Sequence, residues 1–125
     1  MSKKRILVID DSETNVLLVK SLFEDEEAIH VDVLLNSRLA IKKIEELKPD
    51  LILLDIMMPD MDGFTILTIV KRDDSLKDIP VIVVSAKDDQ VDIDRAMSLG
   101  ALDYVRKPIG INYLYDQVFT TLELH

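Results

Sequence analysis

Three short runs of branched apolar residues, separated by longer stretches of mixed character, constrain the fold of this chain most strongly. The runs are Ile6–Ile9, Leu51–Leu54 and Val81–Val84, and each is apolar throughout. A strand with one solvent-facing side alternates apolar and polar residues, whereas a strand covered on both faces is apolar at every position. The runs therefore predict the central strands of a buried parallel sheet, with Val31–Leu35 and Asp103–Val105 as weaker strand candidates.

Amphipathic stretches between these runs predict five helices, because apolar residues recur there at helical spacing. The first, second and fifth stretches carry the apolar stripes Val16, Val19 and Phe23; Ala40, Ile44 and Leu47; and Ile111, Leu114, Val118 and Leu122. The third stretch runs through Ile66–Val70 and the fourth through Val91–Leu99. We expect Ser12 or Asp11 to cap the first helix, Ser37 to cap the second, and Gly100 to end the fourth. Five strands alternating with five helices predict one α/β domain over residues 1–125, a doubly wound parallel sheet covered on both faces.

Composition and charge exclude several classes of function. The chain has 125 residues and no cysteine, which rules out disulfides and thiolate metal sites and suits a cytoplasmic protein. The first apolar run stops at Asp10, short of the about 7–15 residues of a secretory signal. No run approaches the roughly 18 residues of a membrane span, so we expect no membrane partner. A formal net charge of −9 repels phosphate backbones, and we expect no direct nucleic-acid binding.

Side chains able to carry chemistry follow four of the predicted strands. Asp10 and Asp11 follow the first strand, Asp55 the third, Ser85 the fourth and Lys107 the fifth. Open parallel sheets bind their ligands at the carboxyl ends of the strands. We therefore expect three carboxylates, a hydroxyl and an ammonium group to meet at one edge of the sheet.

Such a cluster favours a divalent cation and phosphoryl chemistry. Crowded carboxylates raise one another's pKa, and Mg²⁺ relieves the repulsion while completing its shell with phosphate oxygens. A carboxylate is also a nucleophile that forms an aspartyl-phosphate, and the transfer depends mainly on positioning and charge neutralisation. Lys107 would supply positive charge and Ser85 a hydrogen bond. Each residue alone is better explained as a helix cap, strand end or loop, and only their joint occurrence favours a site.

Four motifs at these strand ends resemble the receiver domains of bacterial response regulators. They are the Asp10-Asp11 pair after Ile-Leu-Val-Ile, the segment Leu53–Gly63, the Ser85-Ala86 pair after Val-Ile-Val-Val, and the segment Gly100–Pro108. The resemblance extends from Lys4 to about Leu122. It implies a flavodoxin-like strand order 2-1-3-4-5 and transfer of a phosphoryl group from a histidine kinase or phosphotransfer protein.

The resemblance also implies the roles of the acidic residues. Asp55 would be the phosphoacceptor, and Mg²⁺ would be held by Asp10, Asp11, Asp55 and the backbone carbonyl of Met57. Asp11 would bind the metal directly, and Asp10 partly through water. The domain would be a signalling phosphoacceptor that assists its own phosphorylation and dephosphorylation, rather than an enzyme with a separate substrate. Met57 and Lys87 would occupy variable positions that tune hydrolysis.

A second group of residues would sense the phosphoryl group. Lys107 would pair with Asp55 and then with the phosphate, and the peptide bond that joins it to Pro108 would be cis. Ser85 would contact the phosphoryl group, and Tyr104 would turn inward when Ser85 moves. The resemblance thus implies a switch on the face around the fourth and fifth helices.

Two other classes of protein fit the sequence less well. A phosphohydrolase of the haloacid-dehalogenase type needs a second Asp two residues after its nucleophile, where this chain has Met57. A flavodoxin-like cofactor binder needs a neutral phosphate loop after the first strand, and the Asp10-Asp11 pair would repel that phosphate.

Two interpretations stay open within the receiver family. The domain is either a stand-alone phosphoryl shuttle that acts on an effector protein, or the receiver of a longer chain. The segment Leu114–Leu124 is similar to receivers that continue into an output domain, such as a diguanylate cyclase or a hybrid sensor kinase. A second copy of the chain is a further candidate partner after phosphorylation.

Overall fold

The computed structural model describes residues 3–124. The expected domain covers residues 1–125, of which residues 1, 2 and 125 lie outside the described part. Within residues 3–124 the chain forms a five-stranded parallel sheet and five α-helices. The elements in chain order are β1 Lys4–Ile9, α1 Glu13–Phe23, β2 Ile29–Leu34, a 3₁₀ helix Ser37–Leu39, α2 Ala40–Leu47, β3 Leu51–Leu54, α3 Gly63–Arg72, β4 Val81–Ser85, α4 Gln90–Ser98, β5 Asp103–Arg106 and α5 Ile111–Thr121. The strand order is β2-β1-β3-β4-β5, which confirms the expected fold. None of the helices in this part of the chain is both long and apolar enough to cross a bilayer.

The sheet separates two apolar layers, as a doubly wound fold requires. In β1, Leu7 and Ile9 point into the layer formed with α2, α3 and α4, whereas Ile6 and Val8 point into the layer formed with α1 and α5. Successive side chains of a strand lie on opposite faces, so a central strand is buried only if every position is apolar. The unbroken apolar runs thus mark β1, β3 and β4, the three inner strands.

Two of the predicted helix ends are confirmed. The Ser12 side chain accepts a hydrogen bond from the backbone amide of Asn15 and caps α1. Gly100 has a φ of +108° and follows α4, where its amide donates to the carbonyl of Met97. The next amide, that of Ala101, donates to the carbonyl of Ala96. This pair of bonds satisfies the last carbonyls of the helix and needs a residue that tolerates positive φ.

The prediction that Ser37 caps the second helix is wrong. Asn36, one residue earlier, caps the 3₁₀ helix by accepting a hydrogen bond from the Arg38 amide at 2.9 Å. The helix α2 begins only at Ala40. Because Asn36 takes the capping role, the hydroxyl of Ser37 is free to point inward, where it donates to the carbonyl of Pro59 at 2.8 Å.

Candidate functional site

The carboxyl ends of the inner strands bring the expected residues together. Ile9 is the register partner of Leu54, so Asp10 and Asp55 emerge side by side, and the Asp55 amide donates to the carbonyl of Ile9. Ser85 ends β4, and its carbonyl accepts a hydrogen bond from the Lys107 amide at 2.8 Å. The edge of the sheet therefore carries the predicted carboxylates, hydroxyl and ammonium group.

Three carboxylates form the centre of this edge. One side-chain oxygen from each of Asp10, Asp11 and Asp55 lies within 4.8 Å of the other two. Asp10 and Asp55 are buried, whereas Asp11 is exposed, so the cluster is open to solvent on one side. Burial raises the pKa of the Asp55 carboxyl above its ordinary value, and the charge of Asp10 raises it further against the opposing effects of the Met57 amide and Lys107.

Lys107 bridges two of the carboxylates. Its Nζ atom lies 3.0 Å from Oδ2 of Asp10 and 3.1 Å from Oδ2 of Asp55, and its side chain is 15% exposed. Burial alone would lower the pKa of Lys107, but its bonds to the two carboxylates outweigh burial and the pKa is raised. One ammonium group among three carboxylates leaves an excess of negative charge at the edge.

Backbone amides orient both buried carboxylates. The amide of Met57 donates to Oδ1 of Asp55 at 3.0 Å, which leaves Oδ2 directed at Lys107. The amide of Ser12 donates to Oδ1 of Asp10 at 2.9 Å. Each carboxylate thus has one oxygen held by the backbone, so its second oxygen is presented in a fixed direction.

Gly63 permits this arrangement, and sequence reasoning assigned it no role beyond its place in a motif. A Cβ atom at Gly63 would lie 2.4 Å from the carbonyl oxygen of Asp55 and 2.6 Å from the Cα of Ile56. The start of α3 therefore passes against the backbone of the acidic site, where only glycine fits. The signal in the sequence is a glycine directly after Asp62, the residue that caps α3.

Ser85 and Tyr104 meet at a third residue, Lys87. The amide of Lys87 donates to Oγ of the fully buried Ser85 at 3.2 Å, and its carbonyl accepts a hydrogen bond from the Tyr104 hydroxyl at 2.8 Å. The Lys87 ammonium group lies 3.6 Å from a carboxylate oxygen of Asp92 in α4. The peptide bond between Lys107 and Pro108 is cis, as the resemblance implies.

The donor set suits a hard divalent cation. Three carboxylates with excess negative charge, open to solvent, offer the oxygen ligands that Mg²⁺ takes, and the open side leaves room for water and phosphate oxygens. Burial, and to a lesser degree the charge of Asp10, raises the pKa of Asp55, and a bound cation would favour the ionised form of both carboxylates.

Comparison with known proteins identifies the family. The sequence profile described as "Response regulator receiver domain" matches residues 6–119, which include every residue of the acidic edge. The chain belongs to the response regulator receiver family.

Individual relatives and a solved structure agree with this result. The chain is 38% identical over 114 residues to the response regulator PleD of Caulobacter vibrioides, covering 91% of this chain and 25% of that protein. It is 38% identical over 133 residues to a protein-glutamate methylesterase/protein-glutamine glutaminase of Caldanaerobacter subterraneus, covering 99% of this chain and 35% of that protein. The signal receiver domain of a DNA-binding response regulator from Colwellia psychrerythraea superposes with a TM-score of 0.92 at 25% identity, covering 97% of this chain and 99% of that domain. The chain thus spans between a quarter and about a third of these two curated relatives.

Proposed function

We propose that Asp55 is the phosphoacceptor of this receiver domain and takes a phosphoryl group from the phosphohistidine of a histidine kinase or phosphotransfer protein. The observation that carries the proposal is the preorganised Asp55 carboxylate, held by the Met57 amide at 3.0 Å and by Lys107 at 3.1 Å. An Asp55 oxygen attacks the phosphorus atom, a P–O bond forms, and the P–N bond breaks. The bonding electrons stay on the imidazole nitrogen.

The neighbouring residues would neutralise the negative charge of the phosphoryl oxygens during this transfer. Asp10, Asp11, Asp55 and the Met57 carbonyl would hold Mg²⁺, which supplies positive charge to the phosphoryl oxygens. Lys107 lies against Asp55 and would pair with an oxygen of the phosphoryl group. The hydroxyl of Ser85 accepts from the Lys87 amide, so its own hydrogen is available to the phosphoryl group.

The same geometry argues against a phosphohydrolase with a separate substrate. The position two residues after Asp55, where such an enzyme carries an acid, is the half-exposed Met57, whose side chain is apolar. We propose instead a signalling phosphoacceptor, with hydrolysis of its own acyl phosphate as the only turnover.

A single receiver domain over residues 1–125 would act on a protein partner. The chain matches only 25% of PleD and 35% of the methylesterase relative, which supports an output domain in the same protein as one candidate partner. A separate effector protein and a second phosphorylated copy are the other candidates. The net charge of −9 supports a protein partner over nucleic acid.

Labelling with a small acyl phosphate tests the acceptor. In the presence of Mg²⁺, intact mass should increase by one phosphoryl group, and hydroxylamine should remove it because the linkage is an acyl phosphate. Asp55→Asn should lose the main label, whereas Asp74→Asn, the same change at a 98% exposed side chain, should keep it. Undiminished labelling of Asp55→Asn would refute the assignment.

A further inference from the structure

Ser37 connects the start of the 3₁₀ helix to the tip of the loop between β3 and α3. Ser37 is 3% exposed, and its hydroxyl donates to the carbonyl of Pro59 at 2.8 Å and accepts from the amide of Met61 at 3.1 Å. The two contacts span 22 and 24 residues of chain. One buried hydroxyl thus serves as donor and acceptor for the same turn.

The turn that Ser37 holds is an unfavourable one. Asp60, at its centre, has a φ of +68°, and the Met61 amide also donates to the Pro59 carbonyl at 2.8 Å, which closes a three-residue turn. Non-glycine residues rarely adopt positive φ, and three-residue turns of this hand are rare and strained. The Ser37 hydroxyl bonds the Pro59 carbonyl and the Met61 amide, the two groups that close the turn. It therefore stabilises a backbone conformation that is unfavourable on its own.

The base of the same loop is also fixed, and Met57 lies between base and tip. The amide of Gly63 donates to the carbonyl of Ile56 at 2.9 Å and closes the base. The Met57 amide donates to Asp55, and the Met57 carbonyl would be the backbone ligand of the proposed metal site. The segment that contains Met57 is therefore held at its base by the Gly63 amide and at its tip by Ser37.

We propose that Ser37 is a positioning residue for the Mg²⁺ site, acting through the Pro59–Met61 turn on the Met57 carbonyl. This inference rests on the proposed function, since it requires the Met57 carbonyl to be a metal ligand. Ser37 touches neither the metal nor the phosphoryl group. Its hydroxyl restricts the loop, and loss of the hydroxyl releases the loop while the three carboxylates stay in place.

Titration calorimetry with Mg²⁺ alone measures the effect. Ser37→Ala should raise the dissociation constant about tenfold, as loss of a group that orients a metal ligand commonly does. Arg38→Ala is the matched local control, because it removes only the exposed ion pair with Asp60, 3.6 Å long, and should bind as wild type does. Val118→Ala controls for general destabilisation, since it weakens the buried layer under α5 without touching the loop.

Amide exchange of the metal-free protein gives a second readout that does not depend on Mg²⁺. Exchange of residues 56–62 should be faster in Ser37→Ala and unchanged in Arg38→Ala. Wild-type Mg²⁺ affinity in Ser37→Ala, or an equal loss of affinity in Val118→Ala, would overturn the inference while leaving the proposed function intact. Failure of the wild-type protein to bind Mg²⁺ would refute the proposed metal site, and the inference with it.

Discussion

Lys107 and Asp55 are 52 residues apart in the chain, yet Nζ of Lys107 lies 3.1 Å from Oδ2 of Asp55. The same Nζ atom lies 3.0 Å from Asp10, so one ammonium group compensates two buried carboxylates. Removing one partner from such a pair leaves uncompensated buried charge. We expect Lys107→Ala to lower the free energy of unfolding of the metal-free domain by about 2 kcal/mol, measured by urea denaturation.

Lys87→Ala is the control for this change, because Lys87 makes a more exposed ion pair with Asp92 and its loss should cost about 0.5 kcal/mol. Mg²⁺ should recover most of the loss in Lys107→Ala, since the cation takes over the neutralising charge. The variant should still accept a phosphoryl group, but slowly. Equal losses in the two variants would contradict the role of Lys107.

The raised pKa of Asp55 predicts a pH-dependent stability. Burial disfavours the ionised carboxyl and raises its pKa above the ordinary value of 3.8. A carboxyl whose pKa is higher in the folded than in the unfolded state stabilises the fold fully at a pH below the unfolded pKa. This stabilisation is lost as the pH rises through the folded-state pKa. Asp55→Asn cannot ionise, so without metal it should melt at a higher temperature than wild type at neutral pH. The difference should vanish as the pH falls to about 4, and a difference independent of pH would contradict the argument.

The exposed carboxylate of Asp11 predicts how Mg²⁺ affects stability. A cation that binds only the folded state stabilises it by about 2.7 kcal/mol at a hundredfold excess over its dissociation constant. Mg²⁺ should therefore raise the melting temperature, and Asp11→Ala should blunt the rise without lowering the stability of the metal-free protein. Asp25→Ala, which removes an exposed carboxylate after α1, should respond as wild type does. An identical response in Asp11→Ala would place the metal elsewhere.

The close approach of α3 to Asp55 predicts a severe effect of a single methyl group. A Cβ at Gly63 would meet backbone atoms at 2.4 and 2.6 Å, which cannot rotate away as a side chain would. We expect Gly63→Ala to destabilise the domain by about 3 kcal/mol and to slow labelling of Asp55. Gly110→Ala is the matched control, because its Cβ would meet a Tyr113 side-chain atom at 3.7 Å, an ordinary contact. Denaturation and labelling of both variants check the prediction, and wild-type behaviour of Gly63→Ala would contradict it.

The sequence predicts the sheet and the edge well because both follow from local patterns. Leu51–Leu54 is apolar in every position, and the same four residues form β3 in the structure. The sequence pattern predicts that the weaker edge strand begins at Val31, whereas β2 begins at Ile29 and includes the exposed His30. Pairing explains the difference, because β1 hydrogen-bonds with β2 from Lys4 onward whatever the polarity of the side chains.

Contacts made by the loops could not be predicted in the same way. Ser37 has the local pattern of a helix cap, and only the path of a loop 22 residues away shows that its hydroxyl bonds Pro59. The role of Gly63 likewise depends on how closely α3 approaches Asp55. The pairing of Lys107 with Asp55 follows from the resemblance to receivers. The positions of the two residues at strand ends indicate only that they lie at the same edge of the sheet.

The shared contact of Ser85 and Tyr104 with Lys87 predicts separate effects on labelling and on signalling. Ser85→Ala would remove the proposed hydrogen bond to the phosphoryl group, so labelling should slow but persist. The loop after β4 would then make the same contacts with and without the phosphoryl group. A group that interacts equally with both conformations of a loop does not shift the equilibrium between them. Tyr104→Phe loses the bond to the Lys87 carbonyl, so labelling should stay near wild type while the response of α4 weakens.

Amide exchange over residues 88–122, with and without beryllofluoride as a mimic of the phosphoryl group, measures that response. Wild type should show a change on this face, and Ser85→Ala, Lys107→Ala and Tyr104→Phe should show a smaller one. Tyr113→Phe is the matched control, because the hydroxyl of the half-exposed Tyr113 bonds Asp103 and Gln117 rather than the Lys87 carbonyl. If Ser85→Ala and Lys107→Ala transmit the full wild-type change, the switch does not run through these residues, and the proposal that Asp55 is the acceptor is unaffected.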